Sequence, residues 1–444
     1  LLERIKAEKE RLIKEGKIKR SKKSAKSSDT PHYENVPFEL PNSWVWCRLE
    51  DIAYVASGST PDKTCFVENG VPYIKMYNLR NQKIDFAYHP QYITEEVHNG
   101  KLQRSRTEVG DLIMNIVGPP LGKLAIIPTT LPQANFNQAA VLIRPYKFKE
   151  VLVSYLKVYL EEMSEINSIA TRGSAGQVNI SLTQSQNMRI PIPPLNEVRR
   201  IIEEVSKYDI LIDSLKQNIT DIQNLIAYTK SKILDLAIHG KLVPQDPNDE
   251  PAIELLKRIN PDFTPCDNGH YPVGWIETIL GELFSHNTGK ALNSSNKEGI
   301  FKDYLTTSNV YWNKFDFTAI KQMPFKESEL NKCTVTKGDL LVCEGGDIGR
   351  SAIWNYDYDI CIQNHIHRLR PKIDLCVPFY YYTFAYLKEN NLIGGKGIGL
   401  LGLSSNALHK IEMPLPPLAE QQRIVQKIEE LFSVLDNIQN ALEV

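Results

Sequence analysis

A glycine- and proline-rich hexapeptide is the first candidate for chemistry, because its lysine could contact a phosphate. Residues 118–123 read Gly-Pro-Pro-Leu-Gly-Lys, one residue shorter than a phosphate-binding loop and without the Ser or Thr that follows its lysine. Pro119 and Pro120 have no amide hydrogen to donate to phosphate. No Gly-x-Gly-x-x-Gly follows a predicted strand either. We therefore expect no nucleotide-binding site in this chain.

Two histidines and a cysteine lie close together, as ligands of a metal site would. Cys361, His365 and His367 can alternate along a strand, however, and residues 136–143, which match this stretch in an internal repeat, contain neither His nor Cys. We interpret these histidines as structural or as facing nucleic acid. Asp111 and Asp339 recur in Gly-Asp-Leu turns without the nearby Glu-x-Lys of a metal-dependent nuclease, which favours turn capping. The sequence thus predicts neither a metal site nor catalytic residues.

Polar, basic and aromatic loops remain, and their side chains are of the kinds that read base edges or hold phosphate. The candidate contacts are Lys75, Tyr77, Asn78, Arg80 and Asn81 in the first half; Thr307, Ser308, Asn309, Tyr311, Trp312, Asn313 and Lys314 in the second; Lys123 and Arg350 in glycine-containing turns; Arg172, Ser174, Gln177 and Asn179 opposite Lys396 in a further loop; and His365. For each residue taken alone, ordinary surface solvation is the alternative. As a set, they predict DNA binding.

The composition is that of a globular protein with more than one domain. The 444 residues carry a formal charge of −1, which argues against a self-sufficient polyanion binder, although residues 4–26 hold eleven Lys or Arg against three Glu. No apolar run approaches the roughly 18 residues of a membrane span. The seven cysteines form no Cys-x-x-Cys pair. We therefore expect reduced thiols, a cytoplasmic location and DNA contact through local patches.

One sequence pattern runs through the chain twice, at an offset near 225 residues. The matching segments are 40–44 with 271–275, 110–113 with 338–341, 122–126 with 349–353, 137–138 and 144–145 with 363–364 and 370–371, and 191–197 with 414–420. Five ordered matches at a nearly constant offset predict an internal duplication. The intervening loops differ, as in residues 73–80 against 304–311. We therefore expect two homologous domains with different ligands.

A helix is predicted after each Pro-Pro-Leu, because proline favours a helix entrance and glutamate its first turn. Apolar residues then recur at steps of three and four, the spacing of a heptad seam. The seam positions are Ile201, Val205, Tyr208, Ile212, Leu215, Ile219, Ile222 and Ile226, continuing to Leu236, and in the second copy Ile424, Ile428, Leu431, Leu435, Ile438 and Leu442.

The first of these helices would cover some 39 residues, about 58 Å, and end at Gly240. A single seam of that length needs a partner helix. We therefore expect the two copies to form an antiparallel coiled coil, with the two domains related by a pseudo-twofold axis.

The residues around these helices resemble a known family. Pro-Pro-Leu-x-Glu is followed by Arg200-Ile201-Ile202 in the first copy and by Arg423-Ile424-Val425 in the second. Residues 232–245 read Lys-Ile-Leu-Asp-Leu-Ala-Ile-His-Gly-Lys-Leu-Val-Pro-Gln. These motifs and the tandem arrangement resemble the specificity subunit of type I restriction–modification enzymes over essentially the whole chain.

The resemblance implies two α/β (α+β) target recognition domains in tandem, separated by long helices that pair as an antiparallel coiled coil. Each domain would read one half of a split, asymmetric site on double-stranded DNA. The coiled coil would set the spacing and dock two methyltransferase subunits, and restriction/translocase subunits would join the full complex. Catalysis, S-adenosylmethionine, ATP and Mg would then belong to those partners, and this chain would hold no cofactor.

Domain boundaries follow from the repeat and the resemblance. We predict an N-terminal conserved helix in residues 1–32, a first recognition domain in 33–195, a central helix and linker in 196–267, a second recognition domain in 268–418 and a C-terminal helix in 419–444. Residues 1–5 match 255–259, so the counterpart of residues 232–251 does not precede them. We therefore expect either a trimmed or partly ordered chain or a naturally shortened form. In both cases the coiled coil would be weaker and the second methyltransferase would dock differently.

Two other classes of function stay open on the sequence alone. One is a fused methyltransferase or nuclease with an unrecognised active site, which activity of the isolated chain would reveal. The other is a coiled-coil scaffold that never contacts nucleic acid, which would show neither sequence preference nor salt dependence in a DNA-binding assay.

Overall fold

The computed structural model describes residues 1–20, 38–118, 121–162, 179–264, 270–291, 298–393 and 403–443. The chain forms two compact units, Leu1–Ser214 and Leu215–Val444, and the division between them falls inside one long helix. Each unit has its own sheets and its own hydrophobic cores.

Unit 1 combines short strands with helices. Its strands are β1 (Val45–Arg48), β2 (Ala53–Ser57), β3 (Phe66–Val67), β4 (Val71–Ile74), β5 (Leu79–Arg80), β6 (Lys83–Ile84), β7 (Tyr92–Ile93), β8 (Leu112–Asn115), β9 (Leu124–Ile126), β10 (Asn135–Phe136), β11 (Ala140–Pro145) and β12 (Arg189–Ile192). Its helices are α1 (Leu2–Lys14), α2 (Leu49–Ile52), α3 (Glu95–Asn99), α4 (Lys149–Glu162), α5 (Leu182–Gln186) and the first half of α6 (Leu195–Ile238).

Unit 2 has a similar set of elements after the end of α6. Its strands are β13 (Ile276–Ile279), β14 (Phe284–Thr288), β15 (Ile300–Leu305), β16 (Val310–Tyr311), β17 (Lys314–Phe315), β18 (Lys321–Phe325), β19 (Thr334–Val335), β20 (Leu340–Cys343), β21 (Ser351–Ile353), β22 (Ile360–Ile362), β23 (Ile366–Pro371) and β24 (Glu412–Leu415). Its helices are α7 (Ala252–Lys257), α8 (Leu280–Leu283), α9 (Glu327–Cys333), α10 (Val377–Glu389), α11 (Ser405–His409) and α12 (Leu418–Leu442).

The sheet topology repeats between the units. The central antiparallel sheet has the order β2-β11-β8-β9 in unit 1 and β14-β23-β20-β21 in unit 2. A second sheet in each unit contains one parallel pair, β4 with β10 and β15 with β22. A short antiparallel pair precedes each long C-terminal helix, β1 with β12 and β13 with β24. The duplication seen in the sequence is therefore a duplication of the fold, and the mixed α/β class in tandem is confirmed.

The central strands are buried on both faces, which explains their continuous apolar sequences. Successive residues of a strand point to opposite faces. In β8, Leu112 and Met114 join the core that contains α4, whereas Ile113 joins a second core. In β20, Leu340 joins the main core of unit 2 and Leu341 a separate one. Packing on both sides holds the central sheet firmly, and with it the turns at its edge strands β9 and β21.

The long helix α6 is confirmed and is longer than expected, with 44 residues, or about 66 Å. Its last residue is Ile238, and the predicted stop residue Gly240 follows in the turn with a φ of +65°. A Cβ at this position would lie 2.5 Å from Cγ of Pro272, so the helix end and the entrance of the second domain pack too closely for a side chain.

Within unit 2, the end of α6 pairs with the start of α12. Ile233 of α6 and Ile424 and Ile428 of α12 are buried in one core, and Lys230 Nζ lies 2.5 Å from Asp436 Oδ1. Because α6 enters this core with its last turns and α12 leaves it with its first, the two helices run antiparallel where they meet. Ile226 is also buried, and Leu431 and Leu435 are half-buried against the same core.

The middle of the α6 seam is not buried among the described residues, contrary to our expectation of a continuous coiled coil. The exposed fractions are 47% for Ile212, 53% for Leu215 and 38% for Ile222, whereas Ile219 is half-buried. On α12, Ile438 is 44% exposed. The physical reason is a difference in length, since α12 has 25 residues against 44 in α6. Ile201 and Val205, at the start of α6, are half-buried, and Ile201 packs on the core of unit 1.

Two family motifs and one repeated segment meet at the buried carboxylate of Glu420. They are Pro-Pro-Leu-x-Glu, residues 232–245 and the repeated residues 271–275. Its Oε2 accepts a hydrogen bond from Trp275 Nε1 at 2.9 Å, and its Oε1 accepts one from Gln245 Nε2 at 3.1 Å. One turn later, Arg423 makes a bidentate pair with Asp249, at 2.6 and 3.2 Å. Burial raises the pKa of Glu420 above its ordinary value. The two motifs that carry the family resemblance thus meet each other and the repeated segment at the entrance of the second domain.

Candidate nucleic-acid interface

A two-stranded hairpin, β5–β6, carries most of the predicted contacts of unit 1. Its turn residues Asn81 and Gln82 have φ values of 48° and 55°, the left-handed conformation that tight hairpin turns need and that side chains adopt at a cost. The tip is attached to the central sheet, because Gln82 Oε1 accepts the backbone N–H of Leu124 at 2.7 Å. The hairpin is therefore a preorganised projection from the edge strand β9.

A buried asparagine closes the base of this hairpin. Asn78 Oδ1 accepts the N–H of Lys75 at 2.9 Å, and its Nδ2 donates to the carbonyls of Asp85 and Tyr88 at 3.1 and 2.7 Å. The side chain is fully buried and its groups are bonded to the backbone. Our prediction that Asn78 contacts DNA is therefore corrected, because this amide positions the hairpin and faces no solvent.

Unit 2 has the corresponding hairpin, β16–β17, with a different tip. Asn313 has a φ of 50°, and its backbone N–H donates to the carbonyl of Ser351 on β21 at 3.2 Å. Asn309 is buried, accepts the N–H of Thr306 at 2.8 Å and donates to the carbonyl of Asp316 at 2.9 Å. The predicted DNA contact of Asn309 is therefore corrected in the same way as that of Asn78.

An eight-residue repeat that our sequence analysis missed encodes both hairpins. Residues 78–85 read Asn-Leu-Arg-Asn-Gln-Lys-Ile-Asp, and residues 309–316 read Asn-Val-Tyr-Trp-Asn-Lys-Phe-Asp. The shared positions are the buried asparagine, two apolar residues, a lysine and the closing aspartate. The three positions that form the tip are different. This alignment could have distinguished the residues that build the hairpin from the exposed residues at its tip. It adds Gln82 and Lys83 to the candidate DNA contacts.

Cations surround both tips. In unit 1, the Arg80 guanidinium lies 4.1 Å from the Tyr88 ring, and a cleft of about 490 Å³ is lined by Tyr77, Leu79, Arg80, Asn81, Gln82 and Lys123. In unit 2, Arg350 and Lys314 lie 5.1 and 5.9 Å from the ring of Tyr311, and Arg350 Nη2 donates to the carbonyl of Thr307. Lys123 and Arg350, predicted from the glycine turns, are thus brought beside the hairpins.

The remaining predicted contacts of the two hairpin regions are partly engaged in contacts within the protein. Lys75 stacks on Phe66 at 5.5 Å, and the Tyr77 hydroxyl donates to the carbonyl of His89 at 3.2 Å. The exposed Ser308 shares a 2.7 Å hydrogen bond with Thr306. Trp312 is half-buried, 6.1 Å from the ring of Tyr381.

Predicted residues outside the hairpins form no single group. Asn179 is exposed and pairs with Val117 in a β-bridge. His365 is exposed, with Nδ1 at 3.3 Å from a carboxylate oxygen of Glu344, which disfavours a phosphate at the same place. Arg172, Ser174, Gln177 and Lys396 lie outside the described residues.

The repeated Gly-Asp-Leu turns hold buried ion pairs. Asp111 accepts the N–H of Glu108 at 2.7 Å, the capping role we predicted, and also binds Arg144 at 2.6 Å and Lys149 at 2.7 Å. Asp339 accepts the N–H of Thr336 at 2.8 Å and binds Arg370 at 2.6 Å. The recurrence of both aspartates and both arginines in the sequence is thus explained by one structural contact.

Two histidines contact each other on the neighbouring strands β14 and β23 of the central sheet in unit 2. His286 Nε2 and His367 Nδ1 are 2.8 Å apart, and His367 Nε2 donates to the carbonyl of Leu403 at 2.7 Å. Burial lowers the pKa of His286 to about 4, with His367, His409 and Arg368 adding repulsion. In the ranges that the structure describes, no group of three or more His, Cys, Asp or Glu is placed to hold a metal ion. The sequence did not reveal the pairing of His286 with His367.

We expect unit 2 to lose stability on acidification from pH 6.5 towards pH 4. The pKa of His286 is lower in the folded protein, so in this window the unfolded chain binds the proton preferentially; above pH 6.5 the stabilising contribution is fully present. Between pH 7.5 and pH 5, the free energy of unfolding of His286→Gln should fall by about 1–2 kcal/mol less than that of the wild type. The exposed His89→Gln serves as control. Equal losses in wild type and His286→Gln would contradict the assignment.

Comparison with known proteins gives concordant results. A family profile for the type I restriction modification DNA specificity domain matches residues 41–224 and again residues 272–444. The chain is 25% identical to the type I restriction enzyme EcoEI specificity subunit of Escherichia coli, over 100% of this chain and 86% of that protein. It is 24% identical to the EcoAI specificity subunit of the same organism, over 99% of this chain and 85% of that protein.

Solved structures share the fold. The HsdS subunit from Thermoanaerobacter tengcongensis superposes with a TM-score of 0.55 at 19% identity, covering 91% of this chain and 95% of that one. A chain of a solved type I R-M system gives a TM-score of 0.55 at 20% identity, covering 92% and 94%.

The two profile matches fall on the two halves whose sheets repeat, and the second match includes the residues that converge on Glu420. Among the described helices, none has the length and apolar character needed to cross a membrane. The chain therefore belongs to the family of type I restriction modification DNA specificity subunits.

Proposed function

We propose that this specificity subunit reads a bipartite, asymmetric site on double-stranded DNA, one half-site with each unit. The observation that carries the proposal is that the units share one sheet order and one hairpin frame but differ at the hairpin tips. A common scaffold with different exposed side chains is what two different half-sites require, because base edges are read by the side chains that reach the groove.

We further propose that α6 sets the spacing of the half-sites and that its exposed seam docks two methyltransferase subunits. Ile212, Leu215 and Ile222 are apolar, lie on one helix and are exposed to solvent in this chain. An apolar stripe on a soluble protein marks a surface that another protein covers. With a formal charge of −1, the chain also gains from partners that grip the DNA phosphates with it.

In this proposal the chain is a non-catalytic, cytoplasmic subunit. S-adenosylmethionine belongs to the methyltransferase partners, and ATP and Mg to the restriction/translocase subunits of the full complex. Support comes from the related proteins, which are named for specificity. The purified chain, incubated with labelled S-adenosylmethionine and DNA, should transfer no methyl group, whereas the complex with its methyltransferase should. Transfer by the chain alone would favour a fused enzyme.

Sequencing of modified bases in cells that carry the intact system tests the DNA site itself. We expect one methylated motif with two unlike parts at a constant separation. A single continuous motif, or two identical parts, would contradict reading by two different units. The complex should also show a steep salt dependence of DNA binding. A complex without sequence preference or salt slope would favour the scaffold alternative.

A further inference from the structure

In each hairpin, the group that attaches the tip to the sheet differs from the side chain that is available to bind a ligand. In unit 1, the Gln82 carbonyl oxygen is engaged by Leu124 N–H, whereas Asn81 is exposed and, in the described residues, its side chain makes no hydrogen bond. In unit 2, the corresponding attachment uses the backbone N–H of Asn313, which leaves the Asn313 side chain exposed. One asparagine side chain is therefore available at each tip. Asn81 is the fourth residue of its eight-residue repeat, and Asn313 is the fifth residue of the other.

We propose that these hairpins are the base-reading elements, with Asn81 and Asn313 as specificity-determining residues. Lys83 in unit 1 and Lys314 in unit 2 are equivalent contacts to the DNA phosphates. The proposal rests on the proposed function and assigns it to residues. A two-stranded ribbon fits the DNA major groove, and an asparagine amide can pair with a base edge there through two hydrogen bonds. Both lysines are exposed and occupy the same position of the eight-residue repeat, as expected for contacts to a backbone that carries no sequence information.

Attachment to the sheet makes the tips suited to this role. Each tip is bonded to the edge strand of a sheet that is packed on both faces, and each hairpin base is closed by a buried asparagine. A rigid reader loses little conformational entropy on binding, so its contacts contribute to discrimination between bases. The backbone carbonyls of Asp85 and Asp316 accept hydrogen bonds from the buried asparagines. These aspartates therefore belong to the hairpin bases and not to the tip positions that we propose to read bases.

Glycine substitutions test the proposal without disturbing the turns. Asn81, Asn313 and Asn391 all have positive φ, at 48°, 50° and 56°, and all are exposed, so glycine fits each backbone. The assembled complex with its methyltransferase is titrated with duplexes in which each base of the wild-type site is changed in turn. Asn81→Gly should lower discrimination about tenfold at one or two adjacent positions of one half-site, and Asn313→Gly should do so only in the other. Asn391→Gly should leave discrimination unchanged.

Lysine variants give the opposite signature. Lys83→Ala should weaken binding to all duplexes alike and reduce the salt slope by about one, with base discrimination unchanged. Unchanged discrimination in Asn81→Gly and Asn313→Gly would overturn the inference, whether affinity stays the same or falls uniformly. The proposed function would still stand if the wild-type complex discriminated between bases. A wild-type complex without base discrimination would overturn the proposed function itself.

Discussion

Duplicating residues 216–219 within α6 is expected to move methylation to a site whose spacer is about two base pairs longer, with both half-sites unchanged. Four residues lengthen a helix by about 6 Å, and base pairs are about 3.4 Å apart along the duplex. Methylation of the original site should fall at least about 100-fold, because only one half-site can then be engaged at a time. Sequencing of modified bases in cells that carry the variant system measures both effects.

The site of this insertion leaves the described helix pairing intact. Residues 216–219 precede Ile226, the first fully buried residue of the α6 segment that pairs with α12. A matched control places the same four residues after Asp262, in an exposed turn before β13, and should leave the spacer unchanged. Altered half-sites with an unchanged spacer in the α6 variant would refute the role of α6 in spacing.

Replacing Glu420 by leucine should destabilise unit 2 by about 2–3 kcal/mol. The substitution removes the buried carboxylate oxygen that accepts from Trp275 Nε1. It also removes one of the two acceptors of Gln245 Nε2, which donates to the Gly240 carbonyl as well. Glu420→Gln keeps one acceptor oxygen and should cost about 1–2 kcal/mol. Denaturant unfolding followed by tryptophan fluorescence measures both values.

Glu430, on the same helix, supplies the control for that experiment. Its side chain is 60% exposed and pairs only with Lys427 among the described residues, so Glu430→Leu should change the free energy of unfolding by less than about 0.5 kcal/mol. Equal stabilities of Glu420→Leu and Glu430→Leu would show that the buried carboxylate does not hold the three segments together.

The sequence predicted those features that rest on periodicity and recurrence. The duplicated sheet, the end of α6 at Gly240 and the capping role of Asp111 all follow from local patterns that the structure confirms. Contacts between distant segments did not follow, because a single sequence contains no record of which side chains meet. Arg144 and Arg370 recur in the sequence, but their pairing with Asp111 and Asp339 is a contact made only in the folded chain.

Burial was the property hardest to predict at the candidate interface. Asn78 and Asn81 are the same residue type three positions apart, but Asn78 is fully buried and Asn81 is exposed. Amide side chains serve equally well as internal hydrogen-bonding groups and as DNA contacts, so residue type alone does not separate the two roles. The exposed seam of α6 has a similar origin, since heptad spacing predicts an apolar stripe and says nothing about which residues cover it.

The frame of the hairpins also bears on how such proteins diversify. Apart from the bond between Gln82 and Leu124 in unit 1, the closing bonds come from Asn78, Asn309 and backbone groups. The stability of each hairpin therefore depends little on the side chains at its other tip positions. Most substitutions in a protein are constrained by a stability threshold. Substitutions at the tip are less subject to that constraint. A lineage can therefore acquire a new target sequence in a few mutational steps, without intermediate variants that fail to fold.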